Sequence, residues 1–495
     1  MQIQLETQPY ASIQTDAIAT YVFDQENKLD GILAEIDRGM SGRLASLVAG
    51  GELTGKSLEL LLVHFPAGLA AQKLLLIGAG KPGKFTTSDL RKIAGTALRQ
   101  LKSRGVKKFA FLTREGETGP AAAQAAVEGL VAADFESDKY RTEKKNREIQ
   151  SVSLAGFDPG LGANLAAAIE QGRVIGESQN FARDLINEPS NRLTPRMLAE
   201  RAEAMAKEAG LNIEILDEHK IAELKMGALI GVAQGSAEPP RVIVVRYTPA
   251  NPKPGAPVLG LVGKAVTFDT GGISIKPSTN MEKMKYDMGG GATMLGAMRA
   301  LAALKPSVPV IAVIPATENM PGGRAQKPGD VQTAMSGKTI EVINTDAEGR
   351  LILADGICYA RKLGCTHIVD AATLTGAIEV ALGNVNVGTF GTPREYLDKF
   401  LASAAAAGEK MWPMPIDEEY QEFIKSNIAD IRNTSTAKGG GAITAAWFLK
   451  EFAEDTPWIH LDIAATCWLD DGRPWLAKGP TGVAIRSIID FALKM

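Results

Sequence analysis

Histidine and cysteine are scarce in this chain, with four of one and three of the other among 495 residues. Cys358 and Cys365 are separated by six residues, which is not zinc-ribbon spacing, Cys467 stands alone, and no histidine pair completes a site. A thiolate-imidazole zinc site and a disulfide framework both lack the residues they need, and three reduced, buried thiols are expected. His64, His219, His367 and His460 are isolated from one another; His367 begins an apolar strand and His460 stands in another beside Asp462, so structural roles are expected for both. No apolar run approaches the roughly 18 residues needed to span a bilayer. The opening Met-Gln-Ile-Gln-Leu-Glu-Thr lacks the basic and apolar regions of a signal peptide, so a cytoplasmic protein is expected. There is no strong charge of either sign. The net charge of −3 and pI near 6.0 give no general reason to expect nucleic-acid binding. A nucleophilic serine set in G-x-S-x-G is also missing, as is any repeat of fixed period.

What is present is an ordinary globular composition, 45% apolar and 22% charged, in a chain too long for one core. Strand-like segments at Ser57–Phe65, Lys73–Gly78, Lys107–Leu112 and Ile149–Ala155 alternate with helix-like ones at Thr87–Ser103 and Pro120–Ala133. The pattern breaks at Asp158-Pro159-Gly160-Leu161-Gly162, and a long helical stretch follows, Ala163 to Leu185. From Thr194 the alternation resumes, with strands at Asn212–Leu216, Arg241–Tyr247, Val258–Phe268, Val308–Pro315, Thr366–Asp370 and Trp458–Ile463. Two α/β domains are expected, a smaller one over residues 1–160 and a larger one with a mixed central sheet over 191–495, joined by a connecting helix at 161–190.

Two glycine-rich loops invite a nucleotide reading. Gly78-Ala79-Gly80-Lys81-Pro82-Gly83 spells G-x-G-x-x-G, but Pro82 interrupts it and Thr86 or Thr87 is the better helix cap, too late for the third glycine. The same residues nearly spell a P-loop, yet Phe85 takes the Ser/Thr position. A strand-ending turn is expected there, and a nucleotide-dependent oxidoreductase has no other support. Gly439-Gly440-Gly441 reads as a tight turn before helix Ala442–Glu451.

The chemistry concentrates elsewhere. Asn344-Thr345-Asp346-Ala347-Glu348-Gly349-Arg350-Leu351 sets two carboxylates two residues apart, with a guanidinium just beyond. Upstream lie Lys264, Asp269, Lys276 and Asp287. Lys264 falls within the apolar strand Val258–Phe268, where a charged amine is costly unless paired or neutral. Asp269 ends that strand before Thr270-Gly271-Gly272, and sites of open α/β sheets gather at strand carboxyl ends. Asp287 precedes Gly289-Gly290-Gly291 and a helix over Ala292–Leu304; Asp346 and Glu348 follow a strand at Glu341–Ile343 and precede a helix over Arg350–Lys362. Four carboxylates in one pocket need cations to offset them. Two divalent metals would do so, and an oxygen-rich ligand set suits hard or borderline ions. Each acid taken alone would be ordinary near a helix start; two glycine-rich clusters of acids and bases in one domain are not.

These residues resemble the M17 leucyl aminopeptidase family, the cytosol aminopeptidases. The resemblance rests on Asn344 to Leu351, on Lys264-x4-Asp269 followed by Lys276 and Asp287, and on Asn187-Glu188-Pro189-Ser190-Asn191, Glu318-Asn319-Met320-Pro321, Ala372-Thr373-Leu374-Thr375-Gly376 and Gly440-Gly441-Ala442-Ile443-Thr444-Ala445. It implies a metal-dependent aminopeptidase that releases N-terminal residues, Leu preferred among others, by attack of a metal-bridging water or hydroxide on the scissile carbonyl. It implies that Lys264, Asp269, Asp287, Asp346 and Glu348 hold two divalent ions, Mn²⁺ or Zn²⁺. Lys276 and Arg350 would be the catalytic pair, with Arg350 holding bicarbonate as a catalytic anion. It implies peptide substrates with a free N-terminus and a homohexamer, with residues 191–495 as the catalytic di-metal peptidase domain. Ala465 stands where the family often has glycine, so a narrower side-chain pocket is expected. The alternative from a different class is a sequence-specific DNA-binding regulator acting through the N-terminal domain, with Lys102, Arg104, Lys107 and Lys108 as its basic groove.

Overall fold

The computed structural model describes residues 1–26, 28–143, 147–252 and 254–495. They divide into two compact units, one of Met1–Asn180 with Asp470–Lys478, the other of Phe181–Leu469 with Gly479–Met495. The short segment Asp470–Lys478 is thus grouped with the first unit although it lies far along the chain.

The first unit is built on six strands: β1 (Gln2–Leu5), β2 (Ala17–Phe23), β3 (Leu60–His64), β4 (Lys73–Gly80), β5 (Lys108–Leu112) and β6 (Ser151–Ala155). Their order in the sheet is β1-β6-β5-β2-β4-β3, parallel except for the β3–β4 pair. Helices α1 (Gly31–Gly39), α2 (Arg43–Ala49), α3 (Thr87–Ser103) and α4 (Pro120–Ala133) complete the alternation. α3 starts where expected because Asp89 Oδ2 accepts from the Thr86 backbone N–H at 3.1 Å and from its hydroxyl at 2.7 Å. Leu90, Ile93, Ala94, Ala97, Leu98 and Leu101 recur at three- and four-residue spacing and are all buried, which fixes one face of α3 to the core. The glycine loop after β4 is a turn. Gly80 ends the strand at φ +74°, and a single 3-10 turn at Pro82–Lys84 separates it from the cap of α3. The strands β1 and β2 and the helices α1 and α2 were not among the elements read from the sequence.

In the second unit the strands are β7 (Asn212–Leu216), β8 (Arg241–Tyr247), β9 (Leu259–Gly263), β10 (Ala265–Asp269), β11 (Val310–Asn319), β12 (Val331–Thr333), β13 (Thr339–Glu341), β14 (His367–Ala372), β15 (Val387–Thr392), β16 (Met411–Pro413), β17 (Ile431–Arg432) and β18 (Trp458–Asp462). The central sheet runs β16-β15-β18-β14-β9-β11-β8-β7, with β10 paired to β11. β18, β14, β9 and β11 are parallel neighbours, and antiparallel strands flank them on both sides, so the sheet is mixed. The helices are α5 (Gly162–Asn187), in which the division between the units falls, then α6 (Pro195–Ala209), α7 (Glu218–Glu223), α8 (Gly227–Ala233), α9 (Gly289–Leu304), α10 (Gly349–Lys362), α11 (Gly376–Leu382), α12 (Arg394–Ala406), α13 (Gly441–Ala453) and α14 (Ile485–Lys494). Leu351, Ile352, Leu353 and Ile357 of α10 are wholly buried, each contributing about 1.5–3 kcal/mol of burial.

One expected strand is two. The run Val258–Phe268 breaks at Lys264, between β9 and β10. There the Lys264 N–H donates to Ala371 O at 3.1 Å, while its carbonyl accepts from Gly291 N at 2.7 Å. β9 pairs with both β14 and β11, but β10 keeps only β11, with a register shift between Val266 and Phe268. The chain therefore leaves the middle of the sheet at Lys264. The short strand expected at Glu341–Ile343 is shifted back to Thr339–Glu341, because Ile343 and Asn344 turn their N–H groups to the side chain of Asn433. The three cysteines are free and buried.

Candidate metal centre

Two loops carry the acids, and a glycine pair joins them. After Asp269 the backbone passes through Gly271 at φ +87° and Gly272 at φ +67°, which lets the Lys276 N–H return to Thr270 O at 2.9 Å. A Cβ on Gly271 would lie 2.5 Å from Ser274 O and 2.9 Å from Asp346 Oδ1, so the close approach of the second loop also requires glycine. Thr345 Oγ1 donates to Gly271 O at 2.6 Å and accepts from Ser274 N at 2.8 Å. These bonds tie Thr270–Lys276 to Asn344–Arg350, some seventy residues along the chain. Asp287 enters from the end of the 3-10 segment Met281–Met288, and Glu348 sits immediately before α10. A Cβ on Gly349 would fall 2.7 Å from Lys264 Nζ, so that position too must be bare.

The side chains form two linked clusters. Lys264 Nζ lies 2.7 Å from Asp287 Oδ1 and 2.8 Å from Glu348 Oε1, and donates to Thr373 O at 2.9 Å. Lys276 Nζ lies 2.8 Å from Asp269 Oδ2 and 2.5 Å from Asp346 Oδ1. Asp269, Asp346 and Glu348 each offer one oxygen, and these atoms lie within 4.8 Å of one another. Lys264, Asp269, Asp287 and Glu348 are at most 5% exposed.

Four carboxylates thus face two ammonium groups, and the balance is visible in the acidities. Burial, and then the neighbouring carboxylates, push Asp287, Asp346 and Glu348 above the usual carboxyl range; the lysines offset only part of this. Burial alone would drive the lysine amines down, yet the surrounding acids raise both Lys264 and Lys276. Asp287 Oδ2 and Glu348 Oε2 are buried without a hydrogen-bond partner among the described residues. The cluster is short of positive charge, and it has acceptor atoms with no partner among the described residues.

Arg350 is buried in the first turn of α10, and its Nη1 donates to Asn433 O at 2.7 Å. Its Nε has no partner, and no carboxylate pairs with the guanidinium among the described residues. Burial lowers its pKa to about 10, against the pull of Glu348 and Asp462. A buried guanidinium with a free donor edge suits an oxyanion.

All seven sequence-predicted site residues are present in this region, six of them in the two lysine clusters. Sequence reasoning did not assign roles to the residues that hold them. Asn319 Nδ2 bonds Asp269 Oδ1 at 2.8 Å and Thr345 O at 3.1 Å. Thr373 Oγ1 bonds Asp287 Oδ1 at 2.7 Å. Asn433 fixes the second loop through Asn344 O at 2.7 Å and Ile343 N at 2.8 Å. Asp462 takes the N–H of Leu374 at 3.1 Å and the Thr375 hydroxyl at 2.7 Å, which holds the turn that presents Thr373. Asn319 and Thr373 stood inside quoted motifs; Asn433 carried no signal. His460 bonds Asp370 at 2.6 Å in a wholly buried contact, as a structural histidine does, and Lys102 of the expected basic groove is ion-paired to Asp134 and Glu136.

Comparison with known proteins places this arrangement. The chain matches the catalytic-domain model of the cytosol aminopeptidase family over residues 180–489 and its N-terminal-domain model over residues 19–144. It is 53% identical over 493 residues to a probable cytosol aminopeptidase of Solibacter usitatus (strain Ellin6076), covering 100% of this chain and 99% of the relative. A probable cytosol aminopeptidase of Koribacter versatilis (strain Ellin345) is 50% identical over 510 residues, with 99% of each chain covered. Among solved structures, a point mutant of tomato leucine aminopeptidase superposes with a TM-score of 0.90 at 33% identity, covering 100% of this chain and 97% of that one. The bottromycin maturation enzyme BotP in complex with Mn gives 0.85 at 31% identity, covering 97% and 99%. This chain belongs to the cytosol aminopeptidase family.

Proposed function

We propose that this family member is a metal-dependent aminopeptidase that releases N-terminal amino acids from peptides, Leu preferred among others. The observation that carries the reading is the four-carboxylate pocket, buried, with two lysines and unpartnered oxygens. Family membership and the manganese-bound structural neighbour support divalent metal. No helix among the described residues is long and apolar enough to cross a membrane.

We assign Lys264, Asp269, Asp287, Asp346 and Glu348 as ligands of two divalent ions per chain, Mn²⁺ or Zn²⁺. The residues fit: Asp287 Oδ2 and Glu348 Oε2 are buried acceptors in need of a cation, and the raised carboxyl pKa values would fall when positive charge enters. Such ions, when bound, polarise a carbonyl and make water nucleophilic at neutral pH, a general device of two-metal hydrolases, aminopeptidases included. Lys264 must lose its proton to serve as a ligand, so loading releases protons. Lys276 is not a ligand in this assignment. It keeps its proton and donates to the oxygen that gains charge as the scissile carbonyl is attacked. Arg350 holds bicarbonate at its free donor edge, with Asn433 orienting the guanidinium. A free α-amine, neutral, would be held by one of these ions, and an acylated one would not. We assign this chemistry to residues 191–495, with 161–190 as the connecting helix and 1–160 as a separate domain. A cytoplasmic homohexamer is the assembly we propose.

The test is hydrolysis of leucine amide by protein stripped with a chelator and verified by elemental analysis. Activity is expected to vanish and to return with Mn²⁺, Zn²⁺ or Co²⁺, and N-acetyl-leucine amide is expected to resist cleavage. Full activity in metal-free protein would overturn the metal assignment, and efficient cleavage of the acetylated amide would overturn the exopeptidase reading.

A further inference from the structure

β14 and β18 are parallel neighbours in register, with Asp370 beside His460 and Ala372 beside Asp462. The metal centre is served from the carboxyl end of β14. There Thr373 O accepts from Lys264 Nζ at 2.9 Å, and its hydroxyl donates to Asp287 Oδ1 at 2.7 Å. His460 touches none of the assigned ligands, yet it is wholly buried two residues before Asp462. Alternate residues of a strand share a face, with Cα atoms about 7 Å apart, so the imidazole and the Asp462 carboxylate lie on one side of the sheet.

Two buried acids flank this one imidazole. His460 Nδ1 lies 2.6 Å from Asp370 Oδ1, and Asp370 Oδ2 accepts from Trp458 Nε1 at 2.6 Å, so both oxygens of Asp370 are engaged. The ring stacks on Phe390 at 5.7 Å and on Trp458 at 6.2 Å, which fixes its plane. Its Nε2 is buried with no partner among the described residues, so no second acid claims the ring by a hydrogen bond. Asp462 is 1% exposed and gathers four donors. They are the N–H groups of Leu374 at 3.1 Å, Ala464 at 3.3 Å and Thr375 at 3.4 Å, and the Thr375 hydroxyl at 2.7 Å. Two carboxylates buried this deeply need positive charge beside them. Burial lowers the His460 pKa, but Asp370 and then Asp462 outweigh it; burial raises that of Asp462, and His460 is the largest influence against it. Arg350 is drawn to Asp462 as well and opposes the charge on His460.

We propose that His460 is a positioning residue of the metal centre. Anchored by Asp370, its imidazolium holds Asp462 as a carboxylate, and a carboxylate accepts from all four donors at once. The bonds to Leu374 and Thr375 fix the turn from which Thr373 holds Lys264 and Asp287. A protonated Asp462 would turn one oxygen into a donor and set it against the Thr375 hydroxyl. The inference rests on the assignment of Lys264 and Asp287 as metal ligands, and it extends their support to a histidine that contacts neither.

A double-mutant cycle on metal affinity tests it, read by competition for Mn²⁺ or Zn²⁺ with a chromophoric chelator in the full chain. His460→Gln removes the charge, and Asp462→Asn removes what the charge holds while keeping the shape. Each is expected to weaken binding by about tenfold, the low end for residues that support a metal ligand. The double variant is expected to lose about tenfold in all, since both act through one link. A loss of about a hundredfold would show two independent effects and overturn the proposal, as would native affinity in folded His460→Gln. Thr375→Val keeps every buried charge, gives up the 2.7 Å bond to Asp462 and the cap on Ile378 N, and is expected to lose about tenfold as well. Native affinity there would break the chain at its last step. A reading that needs no substitution comes from the ¹⁵N resonances of histidine-labelled protein. The wholly buried ring, marked by slow N–H exchange, is expected to carry a proton on both nitrogens at neutral pH, and a neutral ring would overturn the proposal. Failure of the wild-type chain to take up any ion would instead sink the metal assignment, and this inference with it.

Discussion

Replacing Thr373 by valine would test whether the residues around the acids, and not the acids alone, set metal affinity. The exchange removes one hydroxyl and keeps the side-chain shape, so no cavity opens. The backbone bond from Lys264 to Thr373 O at 2.9 Å is untouched. What goes is the 2.7 Å bond from Thr373 Oγ1 to Asp287 Oδ1, with the longer 3.2 Å contact of the same hydroxyl to Asp287 O. Asp287 Oδ2 already has no partner, so Asp287 is left with Lys264 at 2.7 Å as its remaining side-chain contact. A hydrogen bond to a charged group contributes about 1.5–3 kcal/mol. At about 1.4 kcal/mol per decade this is about 10- to 100-fold in affinity, the range typical of residues that orient a metal ligand. The variant is expected to bind the more weakly held ion that much less tightly, measured by competition with a chromophoric chelator. Turnover at saturating metal is expected to stay near that of the native protein, since no ligand is lost. Thermal unfolding of the metal-free variant checks that it is folded. Unchanged metal affinity in a folded variant would refute the argument that Thr373 holds Asp287 for the ion.

Lys276→Ala is expected to lower kcat by about 10²–10³, the size seen on losing one oxyanion donor, with metal content unchanged by elemental analysis; an unchanged kcat removes Lys276 from the chemistry. Glu348→Ala or Asp346→Ala is expected to lose one or both ions with the fold kept, and full metal content in either would mean that the ligand set is misassigned. Burial pushes the Asp355 carboxyl up to about 7, against the N–H bonds it accepts from Met335 and Leu229. A folded value above the unfolded one means that its contribution to stability is complete below about 4 and lost as pH rises through about 7, so Asp355→Asn is expected to flatten that part of the urea-stability profile; an identical pH slope in the variant counts against it. Light scattering at micromolar concentration is expected to give six times the 52.5 kDa chain mass, and a monomer would end the hexamer proposal.

The seven candidate residues could be picked out of the sequence because metal and oxyanion chemistry restricts residue types, and because short glycine-flanked spacings survive as text. Asp346 and Glu348 could be paired from spacing alone, and Lys264 was conspicuous as a charge in an apolar run. Helices α3 and α4 were legible to the residue, since their limits are local: the Thr86–Asp89 box in one, and Pro120 in the first turn of the other. Other features depend on partners far along the chain. Val258–Phe268 is uniformly strand-forming, and only the bonds of Lys264 to Ala371 and Gly291 cut it into β9 and β10. Nothing near Asn433 marks it, and the motif that contains Thr373 gives that residue no role; they matter because folding sets Asn433 against Arg350 and Thr373 against Asp287. The grouping of Asp470–Lys478 with the first unit is likewise invisible to local pattern. Local propensity and residue chemistry act within a few positions of the chain, so the sequence by itself singled out the acids, lysines and guanidinium as candidates. Long-range hydrogen bonds and burial are properties of the assembled core, and they alone decided how those groups are held, which acids share a cation, and how far each acidity is moved.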